Sequence, residues 1–212
     1  PTGAALTPKR RSQLRAVLKG YPEVLLIEDD HAGPVAGADL VTLCSGSLAH
    51  WAAVRSVSKS LGPDLRLAVV TGDEQGISRL EGRQRLGTGW VSTILQRTVA
   101  ALWRDPKVDA AIERAAATYA ARRQGLIAAL ASHGIEATGH SGLNVWIPVP
   151  AEADTVRLLA ERGWAVGAGE RFRLQSPPAI RVTVAGLRQA DAEAFAGDLA
   201  WVLGGRSPAF YA

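Results

Sequence analysis

The chain has 212 residues, of which 47% are apolar and 21% charged, with one cysteine, no methionine and a net charge of +4. Ordinary apolar content and low net charge exclude a disordered tail, and glycines without a fixed period exclude a collagen-like fibre. No apolar run approaches the roughly 18 residues needed to span a bilayer and Cys44 has no intramolecular partner, so a cytoplasmic protein that engages no membrane is expected.

The 24 basic residues are interleaved with acids rather than gathered in a stripe, so this chain itself is not expected to bind nucleic acid. The spacing of Leu6, Leu14, Val17 and Leu18 predicts a surface helix over residues 7–19, with Thr7 as cap and Pro8 at the first helical position. Val24-Leu25-Leu26-Ile27 reads as a buried parallel strand that runs into Glu28-Asp29-Asp30-His31, and acids at the carboxyl end of such a strand lie where α/β sheets place their chemistry. Further strands are predicted over 52–57 and 67–70. Helical periodicity follows from Ile77 to about His133, broken near Gly87-Thr88-Gly89 and at Asp105-Pro106, with Gly134 as a C-cap. The remainder predicts strands at 143–149, 164–166 and 179–184 and helices at 153–162 and 191–203. The fold class is therefore α/β, a mostly parallel sheet with helices over residues 1–135, followed by a small α+β domain over 136–212.

Chemistry concentrates in Ser56-Val57-Ser58-Lys59 and in Arg66, seven residues beyond the lysine. A lysine amine can bind an aldehyde as a Schiff base, while hydroxyls and a guanidinium fork can hold a phosphate on the same molecule. An exposed turn lysine among structural serines is the competing reading. In Asp29-Asp30-His31, a carboxylate can hold the proton on a pyridine nitrogen and an imidazole can meet a ring oxygen; the same residues as metal ligands, or as a solvated acidic loop, are the alternatives. The six tryptophans are expected to serve packing, and Cys44 to be a buried small side chain.

In order, Pro1-Thr2-Gly3, Glu28-Asp29-Asp30-His31, Ser56-Val57-Ser58-Lys59 with Arg66, and Ala179-Ile180-Arg181-Val182-Thr183-Val184 resemble the fold-type I pyridoxal phosphate-dependent aminotransferases. Within that group the chain looks most like the aminotransferase-like domain of MocR-type regulators of the GntR superfamily. The resemblance covers nearly the whole chain and implies pyridoxal 5'-phosphate as cofactor. It implies that Lys59 is the cofactor lysine and general acid/base, Asp29 the partner of the ring nitrogen, and Ser56, Arg66 and Ser58 phosphate ligands. Arg181 becomes the clamp for a substrate or effector carboxylate, and no metal is implied. His31 departs from the pattern, standing where the enzymes usually carry a tyrosine against the ring oxygen.

By the same resemblance, the 212 residues are expected to be the second half of a cofactor domain plus its small lobe, the Asn of an Asn-Pro-Thr-Gly motif falling just before Pro1. The implied function is effector sensing in a transcriptional regulator. An amino acid or amine is the effector, the full-length protein is a homodimer, and DNA is bound only through an N-terminal domain absent from this chain. The alternative is an aminotransferase that moves an amino group between an amino acid and a 2-oxo acid; this portion alone is expected to be inactive and to hold the cofactor poorly.

Overall fold

A computed structural model describes residues 2–46, 48–87 and 89–204. The elements in chain order are α1 (Pro8–Leu18), β1 (Leu26–Asp30), β2 (Trp51–Ser56), β3 (Ala68–Gly72), α2 (Glu74–Leu86), α3 (Thr93–Leu102), α4 (Pro106–Ser132), β4 (Asn144–Pro148), α5 (Glu152–Glu161), β5 (Gly167–Ala168), β6 (Ala179–Thr183) and α6 (Gln189–Gly204). Two compact units result. One comprises Leu6–Ala116, the other the chain from Ala117 onward together with the segment ending at Ala5, so the division falls within α4 rather than after it.

In the first unit, β1 and β2 pair in parallel and β2 and β3 antiparallel, in the order β1-β2-β3. Helix α1 starts where the Thr7-Pro8 pair predicts, the Thr7 hydroxyl accepting the Arg10 N–H at 3.1 Å. Helix α2 begins three residues before the predicted Ile77 because Asp73 caps it, accepting the N–H of Gly76 at 2.9 Å and, through its other oxygen, that of Trp51 at 2.9 Å. The apolar core of this unit is small: Val57, Leu67 and Val99 are buried, and Leu61, Leu65 and Val91 pack against them.

The strand predicted at Val24 begins only at Leu26 and includes both aspartates. It is parallel, but it is not buried: Val24, Leu25 and Ile27 are 45%, 51% and 61% exposed. Among the described residues β1 has a paired strand on one side only, so its apolar run lies along a sheet edge. The tryptophan expectation also needs correction, since Trp90 is 80% exposed and Trp103 and Trp201 are about half exposed. The Gly87-Thr88-Gly89 break follows α2, but Thr88 lies outside the described residues.

The second unit is built on an antiparallel sheet in the order β4-β6-β5. Val145 and Ile147 of β4 and Ile180 and Val182 of β6 alternate onto one face, where they meet Leu126 and Leu130 of α4, Leu159 of α5 and Phe195 and Leu199 of α6. Helix α4, 27 residues long, closes on Gly134 at φ 70°, where the Ile135 N–H reaches back to the Leu130 carbonyl at 3.0 Å. The strand predicted at 164–166 starts three residues later, at Gly167–Ala168. Trp164 instead ends α5: its N–H bonds the Leu159 carbonyl at 2.9 Å, its ring meets Phe195 edge-on at 5.4 Å, and its indole N–H donates to Asp198 at 2.7 Å. Among the described residues, no helix is long and apolar enough to cross a membrane.

Candidate functional site

Because β1 and β2 run in parallel, Asp29-Asp30-His31 and Ser56-Val57-Ser58-Lys59 lie at the same end of the sheet. The antiparallel β3 starts at Ala68, so Arg66, just before it, belongs to that end as well. Topology thus gathers at one sheet end the amine, hydroxyls, guanidinium, carboxylate and imidazole that the sequence distributes over nearly 40 residues.

The two aspartates part in role through strand alternation. Asp30 shares a face with its register partner Arg55 and forms an ion pair with it at 2.5 Å; its other oxygen accepts the N–H groups of Gly33 at 2.7 Å and Ala32 at 3.3 Å. Its carboxylate is committed to the chain's own structure. Asp29 falls on the opposite face, in register with Val54, and is exposed. Among the described residues it has no hydrogen-bond partner, and it is the acid left available to a ligand.

Beyond β2 the chain makes a helical turn in which the N–H groups of Ser60 and Leu61 bond the Val57 carbonyl at 3.2 and 2.8 Å. Val57 and Leu67 are buried and joined by a backbone hydrogen bond of 3.2 Å, while Lys59 and Arg66, on the loop they bracket, are exposed. Apolar anchors hold the loop and leave its cations outside. The Ser56 oxygen accepts the Ser58 N–H at 3.2 Å, which leaves its hydroxyl proton free to donate elsewhere. Arg66 has φ 43°, the one left-handed residue other than glycine among those described. That conformation costs about 1 kcal/mol relative to glycine, and such strain at an exposed arginine points toward function.

Glu28, on the Asp30 face, turns away from this set. It accepts the Thr42 hydroxyl and the Cys44 N–H, the latter at 3.1 Å. Cys44 is buried, and its thiol lies 3.5 Å from the Ala52 carbonyl. Burial first, then the Glu28 carboxylate, push the thiol pKa from 9.0 up to about 11. Iodoacetamide should therefore label native Cys44 with a rate that rises toward pH 11, whereas the unfolded chain reacts with a midpoint near 9. The raised folded value also means that the contribution of Cys44 to stability is complete below pH 9 and progressively lost as pH climbs through 11, which urea titrations at stepped pH would measure. A native labelling midpoint near 9 would refute the burial argument.

In the second unit Arg181 sits on the central strand β6, in register with Trp146 and Gly167, on the sheet face opposite the apolar core. Its guanidinium lies 4.4 Å from the centre of the Phe172 ring, and its Nε is enclosed without a hydrogen-bond partner. An unsatisfied, enclosed arginine N–H on the face away from the core is suited to an incoming anion.

Sequence reasoning passed over a second arginine here. Arg123 of α4 is 3% exposed and directs its guanidinium at three carbonyls, those of Gly139 (2.9 Å), Gly142 (2.7 Å) and His140 (3.3 Å). The same loop holds the Gly3-Ala4 segment: the His140 and Ser141 N–H groups bond the Gly3 carbonyl at 2.7 and 2.8 Å, and the Ser141 hydroxyl bonds that of Ala4 at 2.9 Å. Gly3 has φ 67°, and a Cβ there would stand 2.6 Å from the Asn144 carbonyl oxygen, so the glycine of the Pro-Thr-Gly run is fixed by conformation and by space. Among the described residues no cluster of His, Cys, Asp and Glu is arranged to hold a metal ion.

This architecture is that of the aminotransferases. The chain superposes on LysN, an α-aminoadipate aminotransferase of Thermus thermophilus, with a TM-score of 0.84 at 20% identity, over 97% of this chain and 56% of that one. It superposes on the kynurenine aminotransferase of Pyrococcus horikoshii with a TM-score of 0.85 at 19% identity, over 99% of this chain and 55% of that one. The chain belongs to the aminotransferase class I and II family, whose profile matches residues 1–199. Among curated proteins it is 36% identical over 201 residues to the vitamin B6 salvage pathway transcriptional repressor PtsJ of Salmonella typhimurium, covering 94% of this chain and 47% of that protein. It is 29% identical over 174 residues to the HTH-type transcriptional regulator TauR of Rhodobacter capsulatus, covering 76% of this chain and 35% of that one. The chain thus spans about half the length or less of the curated relatives it matches.

Proposed function

We propose that this chain is part of the pyridoxal phosphate-holding, effector-sensing region of a MocR/GntR-type transcriptional regulator. The observation that carries the reading is the 36% identity, sustained over 201 residues, to a transcriptional repressor. The donor set at the sheet end fits the cofactor: an exposed amine, two serine hydroxyls, a strained exposed arginine and an unpaired carboxylate match an aldehyde, a phosphate dianion and a basic ring nitrogen. When bound, the cofactor supplies an aldehyde carbon that captures amines and a ring that withdraws electrons.

The chain's own residues do the rest. Lys59 offers its amine to the aldehyde and is the group that can give or take a proton there. Asp29 holds the proton on the ring nitrogen, and His31 donates to the ring oxygen. Arg66, Ser56 and Ser58 neutralise and orient the phosphate. Arg181 receives the carboxylate of an amino compound, which makes an amino acid rather than a plain amine the preferred effector class. We infer further that the intact protein is a homodimer in the cytoplasm and reaches DNA through another domain, as the HTH-type relative's name suggests.

The aminotransferase alternative uses the same residues, so the test must separate binding from turnover. With excess amino acid and a 2-oxo acid, the intact protein is expected to show a saturable change in its visible spectrum and altered DNA binding, without sustained release of new oxo acid. Continuous oxo-acid production, with DNA binding unaffected, would establish the enzyme instead.

A further inference from the structure

Glu152 opens α5 and is 9% exposed, and its side chain reaches outside its own helix. One oxygen accepts the Glu170 N–H at 2.6 Å; the other accepts the Ala179 N–H at 3.1 Å and the Arg173 Nε–H at 3.2 Å. Burial alone would raise the pKa of this carboxyl, but the two backbone N–H groups and Arg173 outweigh it and hold the group below its usual range. The partners bracket one stretch of chain: Glu170 follows β5, and Ala179 is the first residue of β6. Inside that bracket is Phe172, the residue whose ring lies against the Arg181 guanidinium.

Arg181 has no ion-pair partner among the described residues to fix its plane. Phe172 is what it rests on. Across the sheet, Gly167 lies against the guanidinium: a Cβ there would stand in ordinary contact, 3.4 Å from Nε and 3.6 Å from Nη2. A flexible arginine binds a carboxylate well only if its fork is already oriented, because otherwise binding must also freeze the side chain. We propose that Glu152 is a positioning residue for Arg181: it staples the 170–179 segment at both ends, so that Phe172 sets the guanidinium plane and holds the fork oriented for a ligand carboxylate. This inference rests on the reading of Arg181 as the carboxylate site.

The test follows the arginine Nε–H signals of the intact protein by ¹H–¹⁵N NMR, with succinate, which carries carboxylates and no amine, as the probe. The Arg181 signal, assigned by its loss in Arg181→Lys, is expected upfield from the Phe172 ring current and to move as succinate binds. Glu152→Gln preserves shape and removes the charge; it should shift that signal downfield and weaken succinate binding about tenfold, equivalent to about 1.4 kcal/mol. Phe172→Ala, at a 38% exposed position where folding is not at stake, should do the same, and Phe172→Tyr should restore both readouts. If Phe172→Ala moves the signal and the affinity while Glu152→Gln moves neither, Glu152 has no positioning role and the inference fails. If succinate binds Arg181→Lys as tightly as the unmodified protein, the carboxylate reading of Arg181 fails, and the ring-current shift still decides whether Glu152 sets its orientation.

Discussion

Replacing Lys59 with alanine is expected to abolish the borohydride-trappable, visibly absorbing cofactor adduct of the intact protein while leaving its stability within about 0.5 kcal/mol. Lys59 is exposed on a turn whose order comes from the buried Val57 and from backbone hydrogen bonds to the Val57 carbonyl, so the fold has little need of its side chain. The covalent link has no substitute. Lys9, Lys19 and Lys107 are the remaining lysines, and each lies outside the sheet end that assembles hydroxyls, guanidinium and carboxylate. The measurement is absorbance with reductive trapping and peptide mapping, alongside chemical denaturation. An adduct of unchanged yield, or one mapped to another lysine, would overturn the assignment. Retention of cofactor without trapping would instead fit the proposal, since the phosphate and ring contacts do not depend on Lys59.

The sequence made the sheet end legible because its chemistry resides in short runs at strand termini. Buried or bulky neighbours such as Val57 and Leu67 announce the strands, and turn residues such as Gly62-Pro63 mark the connection. Local spacing alone left Asp29 and Asp30 equivalent, and only the family resemblance selected Asp29; the physical reason is the face each occupies, set by the β1–β2 register that brings Arg55 to Asp30. The exposure of Val24, Leu25 and Ile27 was equally invisible, because an apolar run reads alike at a sheet edge and in its middle. Glu152, Phe172 and Arg123 were missed for a different reason. Each acts through backbone groups or ring faces distant in sequence, as when Glu152 reaches Ala179, and local spacing carries no trace of such contacts. The only available signal for Arg123 was a charge inside the long alanine-rich helix, and Arg122 beside it gives the same signal while bonding instead to the Ala185 carbonyl.

Arg123→Ala is expected to destabilise its unit by about 2–4 kcal/mol, more than a typical surface charge deletion, because the guanidinium serves three carbonyls of one loop and leaves all three without a partner when removed. Lysine should rescue little, since a single ammonium cannot reproduce the planar fork that spans Gly139, His140 and Gly142. The effect should extend to the Gly3-Ala4 segment, whose Gly3 carbonyl is held by the N–H groups of His140 and Ser141 on that same loop. Gly3→Ala attacks the joint from the other side, through a left-handed φ of 67° and a Cβ placed 2.8 Å from the Gly139 Cα. If Arg123 and Gly3 stabilise one shared loop, the two substitutions together should cost less than the sum of each alone, by about 0.5 kcal/mol or more in a double-mutant cycle of denaturant unfolding. Strict additivity would show that the loop is organised independently at its two ends. A loss below about 0.5 kcal/mol for Arg123→Ala would show that water satisfies the three carbonyls as well as the guanidinium does.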